Sequence, residues 1–312
     1  MQSTDPGSDR SGSRVYLVYG MRTVSDLPLP GWPLADSDGD ADLIISRTSI
    51  DGPGVDGPRH TARWQVQPGR LGLAVQGVGR YRVVDPGVLE VDPDPNAAAE
   101  DVLLYLTGAA MSAVLHLRGR YPLHASAVGI DGQAVAIAGR SGAGKSTLVA
   151  TLVARGAEFV TDDVCVTTEL SDGRHGIWPG PARAKLDRRS LRAMESASHD
   201  LAPAGGNRGK YHLPLGLDRE RPAPIPLRAV YLLTDDEGPI RLEVLQGVDA
   251  VTTLMQETYF AEYAGALGAG ERCFRAAGAV AQTVQVARLL RPRAIERVPE
   301  LAELIEREAR RG

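Results

Sequence analysis

The sequence predicts an α/β fold that is preceded by a smaller module built mostly of β-strands. Between residues 14 and 91, short apolar runs alternate with Gly, Pro and Asp, which is typical of short strands joined by tight turns. From Ala134 onward, apolar runs of strand length alternate with stretches of helical periodicity, the pattern of an α/β core. A glycine-rich segment, residues 139–146, lies where the first of these strands is followed by a helix.

The composition excludes several classes of protein. The 312 residues carry a net charge of −4, so no overall positive field attracts nucleic acid or an anionic membrane. Aromatic residues make up only 5% of the chain, which disfavours a platform for stacking bases. Two cysteines cannot supply a four-thiolate zinc site or a disulfide framework. We therefore expect neither nucleic acid nor a membrane as a partner.

The N-terminal residues 1–13 are polar and rich in Gly, Ser and Asp, which predicts a disordered tail without the apolar segment of a secretion signal. The most apolar stretch, residues 102–117, is too short to span a bilayer and contains Thr107 and His116. We expect a cytoplasmic protein in three parts, namely the tail 1–13, a β-rich module 14–95 and an α/β domain 96–312.

The β-rich module is predicted to form a mostly antiparallel sheet. Its strands are expected at residues 15–18, 43–45, 71–75, 81–84 and 88–91. Asn96 is the predicted N-cap of a helix whose apolar residues recur at helical spacing up to Leu117.

The α/β domain is predicted to alternate strands with helices. Its strands are expected at residues 121–128, 134–138, 158–160, 164–168, 176–178, 229–234 and 240–245. Its helices are expected at residues 146–155, 249–259 and 299–310. The turn signals Asp131-Gly132 and Asp172-Gly173 predict hairpins between the strands that flank them, and residues 236–239 predict a third hairpin.

Residues 139–146 match the phosphate-binding pattern G-x-x-x-x-G-K-[ST], between an apolar strand and a helix as that pattern requires. Glycines let backbone N–H groups converge on phosphate oxygens, and the helix N-terminus adds partial positive charge. Lys145 would reach the β- and γ-phosphates, and the Ser146 hydroxyl would bind Mg²⁺. The nucleotide-binding residues predicted for ATP are Gly139, Ser141, Gly142, Ala143, Gly144, Lys145, Ser146 and Thr147. The alternative is a glycine-rich turn that binds nothing.

Two adjacent acids, Asp162 and Asp163, follow the predicted strand 158–160. Alternation along a strand would send their side chains in different directions, so one could bind metal while the other faces the γ-phosphate and an incoming hydroxyl. A solvated acid pair in a turn is the alternative. The similar pair Asp235 and Asp236 is followed by Glu-Gly-Pro, which predicts a plain hairpin turn. By residue type alone, His124 is more readily explained as a hydrogen-bonded interior histidine than as a catalyst.

Several nucleotide-binding families are excluded by missing motifs. No Leu-Ser-Gly-Gly type signature of an ABC transporter ATPase occurs. The only asparagines are Asn96 and Asn207, and neither opens the Asn-Lys-x-Asp sequence with which GTPases read guanine. The same scarcity excludes the catalytic loop of eukaryotic-type protein kinases.

Residues 123–163 resemble the C-terminal domain of HPr kinase/phosphorylase and the HPr-kinase-like enzymes of peptide-tailoring pathways, among them lasso-peptide kinases. The resemblance rests on His124-Ala-Ser-Ala-Val, the glycine-rich loop, Arg155-Gly156 and Val160-Thr-Asp-Asp163. It implies a P-loop kinase core related to phosphoenolpyruvate carboxykinase, with ATP on the loop. It further implies that Asp162 is the base toward a serine hydroxyl, that Asp163 binds Mg²⁺ with Ser146, and that His124 and Lys145 lie at the reacting centre.

The sequence departs from that family in three respects. Thr147 follows the loop serine where the family has an acidic residue, the phosphorylase signature is missing, and the N-terminal module differs. We therefore expect a kinase for another hydroxyl substrate rather than for HPr itself. The missing phosphorylase signature argues against the reverse reaction, and the sequence leaves that reaction undecided.

Two segments are candidates for the acceptor side. Residues 183–192 hold five basic side chains, which would clamp phosphates or an acidic peptide, or simply form a solvated helix face. Residues 205–211 are glycine-rich and contain Arg208 and Lys210, which fits either a loop closing over substrate or a disordered surface loop.

Together these features predict an ATP- and Mg²⁺-dependent kinase that phosphorylates a serine or similar hydroxyl of a peptide or protein, with peptide natural-product tailoring as one setting. The alternatives are a kinase for a small metabolite such as a sugar or hydroxy acid, and a nucleotide-binding scaffold module. The sequence leaves a homo-oligomer open.

Overall fold

The computed structural model describes residues 12–36, 38–193, 201–206, 209–215 and 223–311. Residues 1–11 of the predicted tail lie outside these ranges. Ser13, at its end, is buried, and its hydroxyl donates to Asp26 Oδ1 at 2.7 Å. No helix within the described ranges is long and apolar enough to cross a membrane.

The described residues of the N-terminal part form a seven-stranded sheet. Its strands are β1 (Arg14–Val18), β2 (Met21–Ser25), β3 (Leu43–Arg47), β4 (Ala62–Gln67), β5 (Arg70–Val75), β6 (Gly79–Asp85) and β7 (Val88–Pro93). The order is β1-β2-β3-β7-β6-β5-β4, with parallel pairing of β3 to β2 and β7 and antiparallel pairing elsewhere. The sheet is thus mostly antiparallel, as expected, and contains two strands, β2 and β4, that the sequence did not predict.

A rod of three consecutive helical segments packs against this sheet. It consists of α1 (Ala99–Tyr105), a π-helical turn (Leu106–Ala110) and α2 (Met111–Leu117). The predicted N-cap is wrong, since Ala98 occupies the cap position and the Asn96 N–H donates to Asp94 Oδ1 at 2.9 Å in a local turn. Leu106 and Val114 are fully buried in the core that the rod shares with the sheet.

The remaining strands are β8 (Tyr121–Leu123), β9 (Ala125–Ile130), β10 (Gln133–Ala138), β11 (Glu158–Thr161), β12 (Cys165–Glu169), β13 (His175–Trp178), β14 (Arg183–Asp187), β15 (Lys210–Pro214), β16 (Ile225–Asp235), β17 (Arg241–Leu245) and β18 (Gln285–Arg291). Among the described residues, β14 and β15 form a separate ribbon and the other nine form one mixed sheet. The parallel row β10-β16-β18 lies at its centre, and β11 is separated from β10 by β9.

The hairpins expected at Asp131-Gly132 and Asp172-Gly173 join β9 to β10 and β12 to β13. The third predicted hairpin is wrong. Both of its strands, β16 and β17, are present, but β18 lies between them and pairs with each. A strand some forty residues farther along the chain therefore displaces the local pairing that the turn residues favoured.

Helices cover both faces of the mixed sheet. They are α3 (Lys145–Ala154), α4 (Arg188–Ala193), α5 (Gly247–Gln256), α6 (Ala261–Ala266), α7 (Gly270–Thr283) and α8 (Val298–Arg310). Strand β10 shows how the layers form, because Val135 and Ile137 join the core under α3 and α8 while Ala134 and Ala136 join the core under α5 and α7. This alternation gives a three-layer α/β arrangement. Because β10 and β11 both run antiparallel to β9, their C-terminal ends lie at the same edge of the sheet.

Candidate active site

The loop between β10 and α3 has a conformation that requires glycine. Gly139, Gly142 and Gly144 have φ values of 134°, 79° and 98°. A Cβ at Gly139 would also lie 3.2 Å from the carbonyl oxygen of Leu233. Because Gly144 immediately precedes the first residue of α3, the loop amides and the helix N-terminus lie together, an arrangement suited to an anion.

Lys145 is buried inside the curve of this loop. Its Nζ donates to Gly139 O at 2.6 Å and lies 3.2 Å from His124 Nε2. Burial lowers the pKa of Lys145, against the opposing effect of the carboxylates of Asp163 and Glu257. The ammonium is therefore held where phosphates on the loop amides would meet it.

Asp162 follows the last residue of β11 and accepts hydrogen bonds on both carboxylate oxygens. Oδ1 accepts from Ser126 Oγ at 2.6 Å and from Ser146 Oγ at 2.8 Å. Oδ2 accepts from the backbone N–H of Lys185 at 2.7 Å. The carboxylate is buried and fixed next to the loop serine.

Asp163 has different partners from Asp162, although both acids lie beyond the last residue of β11 and strand alternation does not apply to them. Its Oδ2 accepts from Lys185 Nζ at 2.9 Å, and its Oδ1 lies 3.5 Å from His124 Nε2. Burial alone would raise the pKa of Asp163, but the charge of Lys185, followed by His124 and Lys145, lowers it well below its usual range. Its backbone has a φ of 74°, a strained value for a residue with a side chain.

His124 lies between β8 and β9, with its backbone N–H donating to Glu257 O at 2.7 Å. Burial lowers the pKa of His124, and Lys145 lowers it further against the carboxylates of Asp163 and Asp162. Its Nε2 lies between Lys145 Nζ and Asp163 Oδ1, and the ring forms one wall of the site.

One cavity of about 830 Å³ joins these groups. The predicted site residues that line it are His124, Ser141, Gly142, Gly144, Lys145, Ser146, Thr147, Asp162 and Asp163. Ala143 instead lines a second cavity of about 200 Å³, which shares Gly142, Gly144 and Thr147 with the first. Gly139 lines neither, and acts through its contacts to Lys145 and Glu257.

The second cavity has an apolar wall and basic neighbours. Ile295, Val298 and Leu301 form part of the wall. Arg291 donates to Ala143 O at 2.5 Å and Arg293 donates to Gly142 O at 2.9 Å, so both guanidiniums hold the loop from the end of β18. Arg291 is the last residue of β18 and Arg293 follows it, and the sequence did not predict this strand.

Three other residues of the site were missed from the sequence. Ser126 and Lys185 lie in segments singled out above, His124-Ala-Ser and residues 183–192, but neither carried a signal of its own. Glu257 Oε2 accepts the Gly139 N–H at 3.1 Å, and burial raises the pKa of this carboxyl. Nothing in the local sequence indicates Glu257, because its contact is purely tertiary.

The other candidate segments have mixed outcomes. Residues 183–192 form β14 and part of α4 rather than one helix face, and within them Lys185 contacts Asp163. Lys210 lines the larger cavity, whereas Arg208 lies outside the described residues. The pair Asp235 and Asp236 lies at the end of β16 but not in the predicted hairpin turn, since β18 separates β16 from β17. Asp236 accepts from Arg241 at 2.6 Å.

Within the described part of the chain, no group of three or more His, Cys, Asp or Glu side chains is arranged to hold a metal ion. Mg²⁺ with a nucleotide takes most of its ligands from phosphates and water and needs few from the protein. The adjacent oxygens of Ser146 and Asp162 fit that smaller requirement.

No family model matches the chain, and no curated protein matches it. Among solved structures, the HPr(Ser) kinase/phosphatase from Coxiella burnetii is similar over 60% of this chain and 95% of that chain, with 15% identity and a TM-score of 0.29. The likeness is a distant structural one, and at this TM-score it carries no argument about function.

Proposed function

We propose that the protein is an ATP- and Mg²⁺-dependent kinase that phosphorylates a serine or similar hydroxyl on a peptide or protein. The observation that carries the proposal is one cavity holding three groups together. They are the glycine loop with buried Lys145, the Ser146–Asp162 contact, and the pair Asp163 and His124. Phosphoryl transfer needs a phosphate cradle, a metal site and a carboxylate near the terminal phosphorus, and these groups can supply all three.

The two cavities suggest how the nucleotide would lie. They flank the loop and share its glycines, and the acids lie in the larger one. With the terminal phosphate toward the acids, the nucleoside end would reach the smaller cavity, where Ile295 and Val298 offer apolar surface to a base. Lys145 and the loop amides would hold the phosphates between the two cavities.

The hydrogen bonds favour a division of labour between the two acids. Asp162 is bonded to Ser146 and would hold Mg²⁺ with it, directly or through water. The metal, when bound, neutralises charge on the β- and γ-phosphates. Asp163 is the carboxylate nearer His124 and is left to face the acceptor. This division is the reverse of the one that the resemblance implies.

Phosphoryl transfer from ATP to the acceptor hydroxyl requires no further reactant. The acceptor oxygen forms a bond to the γ-phosphorus while the bond from that phosphorus to the β–γ bridging oxygen breaks, and ADP leaves with the electron pair. The hydroxyl proton passes to Asp163, which returns it to solvent. Lys145 and Lys185, which both line the larger cavity, would supply positive charge to the transferred group.

Transfer of labelled γ-phosphate tests the proposal. The protein is incubated with Mg²⁺, labelled ATP and either serine-containing peptides or a panel of sugars and hydroxy acids. We expect labelled peptide, with no labelling after serine is replaced by alanine. Labelling confined to the metabolites would support the small-molecule alternative. Binding of a fluorescent ATP analogue without any transfer would support the scaffold alternative.

A further inference from the structure

Strand β4 is the last strand of the seven-stranded sheet, and α6 packs near it through the rings of Trp64 and Tyr263. The chain covers the opposite edge itself, since Leu17 N–H donates to Pro33 O at 3.0 Å and Ala35 N–H donates to Val15 O at 2.9 Å. Within the part of the chain that the structure describes, no segment pairs with β4 on its outer side. An open edge is a template for another strand, which is why proteins usually cover it.

The register of β4 decides which backbone groups face outward. Gln76 N–H donates to Thr61 O at 2.9 Å, which places Thr61 on the side of β5. Hydrogen-bonded and non-bonded residues alternate along an antiparallel ladder. The alternate residues Ala62, Trp64 and Val66 therefore point their N–H and C=O groups away from β5.

A row of rings connects this edge to the catalytic end of the larger cavity. The ring centroids of Trp64 and Phe260 lie 5.7 Å apart, those of Phe260 and Tyr259 4.8 Å, and those of Tyr259 and His124 5.6 Å. All four residues line the cavity. The row carries apolar surface from the sheet edge to the histidine beside Asp163.

Residues with strained backbone conformations also line the larger cavity. Among the described residues, five that are not glycine have positive φ, and three of them line this cavity: His60, Asp163 and Phe260. Such conformations are energetically unfavourable and concentrate at functional sites. They come from the segment before β4, from the acid pair and from the start of α6.

We infer that the acceptor is an extended peptide segment that adds to the sheet as a strand along β4, an inference that rests on the proposed kinase function. Its backbone pairs with the outward groups of Ala62, Trp64 and Val66. A side chain next to the accepting residue packs on the row of rings, and the hydroxyl reaches Asp163. Strand addition gives affinity through the main chain and specificity through alternate side chains. The N-terminal sheet is then the docking platform of the enzyme.

Amide exchange measured at β4 tests the docking directly. An acceptor is first selected from a library of peptides with one serine each, by transfer of labelled phosphate. Adding that peptide should slow exchange of the outward amides of Trp64 and Val66 about tenfold, while the inward amides of Arg63 and Gln65 keep their rates. A labelled peptide that leaves all β4 amides unchanged would overturn strand addition and leave the kinase proposal standing.

A matched pair of variants gives a second readout. Val66→Pro removes one outward N–H without removing a bond to β5, so the KM for the peptide should rise about five- to tenfold, with little change in kcat. Gln65→Ala removes an exposed side chain and should leave KM unchanged. N-methylation of alternate peptide amides should raise KM equally and leaves the protein unaltered.

Binding of a fluorescent ATP analogue separates the two possible failures. If the analogue binds and no library peptide is labelled, the peptide acceptor and strand addition are both wrong. If peptides are labelled and neither Val66→Pro nor N-methylation raises KM, strand addition alone is wrong. If the analogue does not bind, the kinase proposal fails, and strand addition fails with it.

Discussion

At the scale of single residues, the two neighbouring aspartates differ because their partners differ. Asp162 is held by two hydroxyls and one amide, all neutral donors, next to the loop serine. Asp163 is held by the ammonium of Lys185 and lies against His124. Neutral donors fix a carboxylate without neutralising its charge, which suits a metal ligand. The ammonium beside the other carboxylate lowers its pKa and keeps it ionised, so that it can accept a hydrogen bond from the acceptor hydroxyl.

This difference predicts separate defects for two isosteric variants. Asp162→Asn should raise the Mg²⁺ concentration needed for half-maximal transfer, because the amide binds the metal more weakly. Asp163→Asn should lower kcat by about 10²- to 10⁴-fold, as loss of a general base does, with an unchanged Mg²⁺ requirement. Initial rates across a magnesium titration measure both effects. The opposite pattern would restore the roles that the resemblance implies.

Glu257 predicts a second residue-level effect, on the loop itself. Its side chain accepts the Gly139 N–H, so Glu257→Ala leaves that amide unpaired and should weaken binding of a fluorescent ATP analogue about fivefold. Glu257→Gln keeps a carbonyl oxygen in place and should bind the analogue nearly as well as the wild type. Equal losses in both variants would mean that the charge of Glu257, and not its hydrogen bond, matters.

At the scale of elements, short sequence patterns predicted those elements whose partners are close in sequence. The hairpin between β9 and β10 needs positive φ at its turn, and Asp131 and Gly132 supply 48° and 77°. Strand β18 was missed because its pairing with β16 and β17 depends on distant segments. Strand β4 was missed because its side chains are mostly polar or exposed, as an edge strand tolerates.

The residues of the candidate site also fall into those that a local sequence pattern marks and those that it does not. The loop is contiguous in sequence, and its chemistry needs a fixed spacing, so Gly139 to Ser146 could be recognised directly. The acids could be recognised because they follow a strand. Glu257, Arg291 and the ring of Trp64 reach the site only through folding of distant elements, and no local pattern marks them.

The ribbon of β14 and β15 predicts a pH effect on stability. Burial, and then the charges of Arg183 and Lys185, lower the pKa of His212 to about 3. The unfolded chain binds a proton there below about pH 6.5, while the folded chain stays neutral until about pH 3. Unfolding therefore takes up protons in this window, so stability should fall as the pH drops from 6.5 toward 3 and be flat above 6.5 with respect to this group.

Replacing the histidine isolates this contribution. His212→Gln should flatten the dependence of the unfolding free energy on pH between 6.5 and 4. The slope should fall by an amount that corresponds to the uptake of up to about one proton on unfolding. Urea titrations at several pH values, with the wild type measured in parallel, give the comparison. An unchanged slope would mean that the folded protein accepts the proton at His212 as readily as the unfolded chain does.

At the scale of the whole molecule, the two sheets are tied together by direct contacts. The ring of Trp178, on β13, packs against Gly20 at the turn between β1 and β2. Ala182 N–H donates to Gly31 O at 2.9 Å. The core of the first sheet also includes Val166 from β12. These contacts hold the proposed docking strand and the glycine loop in a fixed relation, which transfer to a docked peptide requires.

Two glycines with nearly equal φ values test how much the contact between Gly20 and the Trp178 ring contributes to the free energy of unfolding. Gly20 and Gly132 have φ values of 75° and 77°, but a Cβ at Gly20 would lie 2.5 Å from the Trp178 ring, and at Gly132 nothing lies within 4 Å. Alanine at either position bears the same left-handed strain, about 1 kcal/mol. Gly20→Ala should lose a further 1–3 kcal/mol, roughly, because the ring must move. Urea unfolding followed by tryptophan fluorescence measures both, and equal losses would show that the Trp178 ring yields without cost and that the sheets are held by their other contacts.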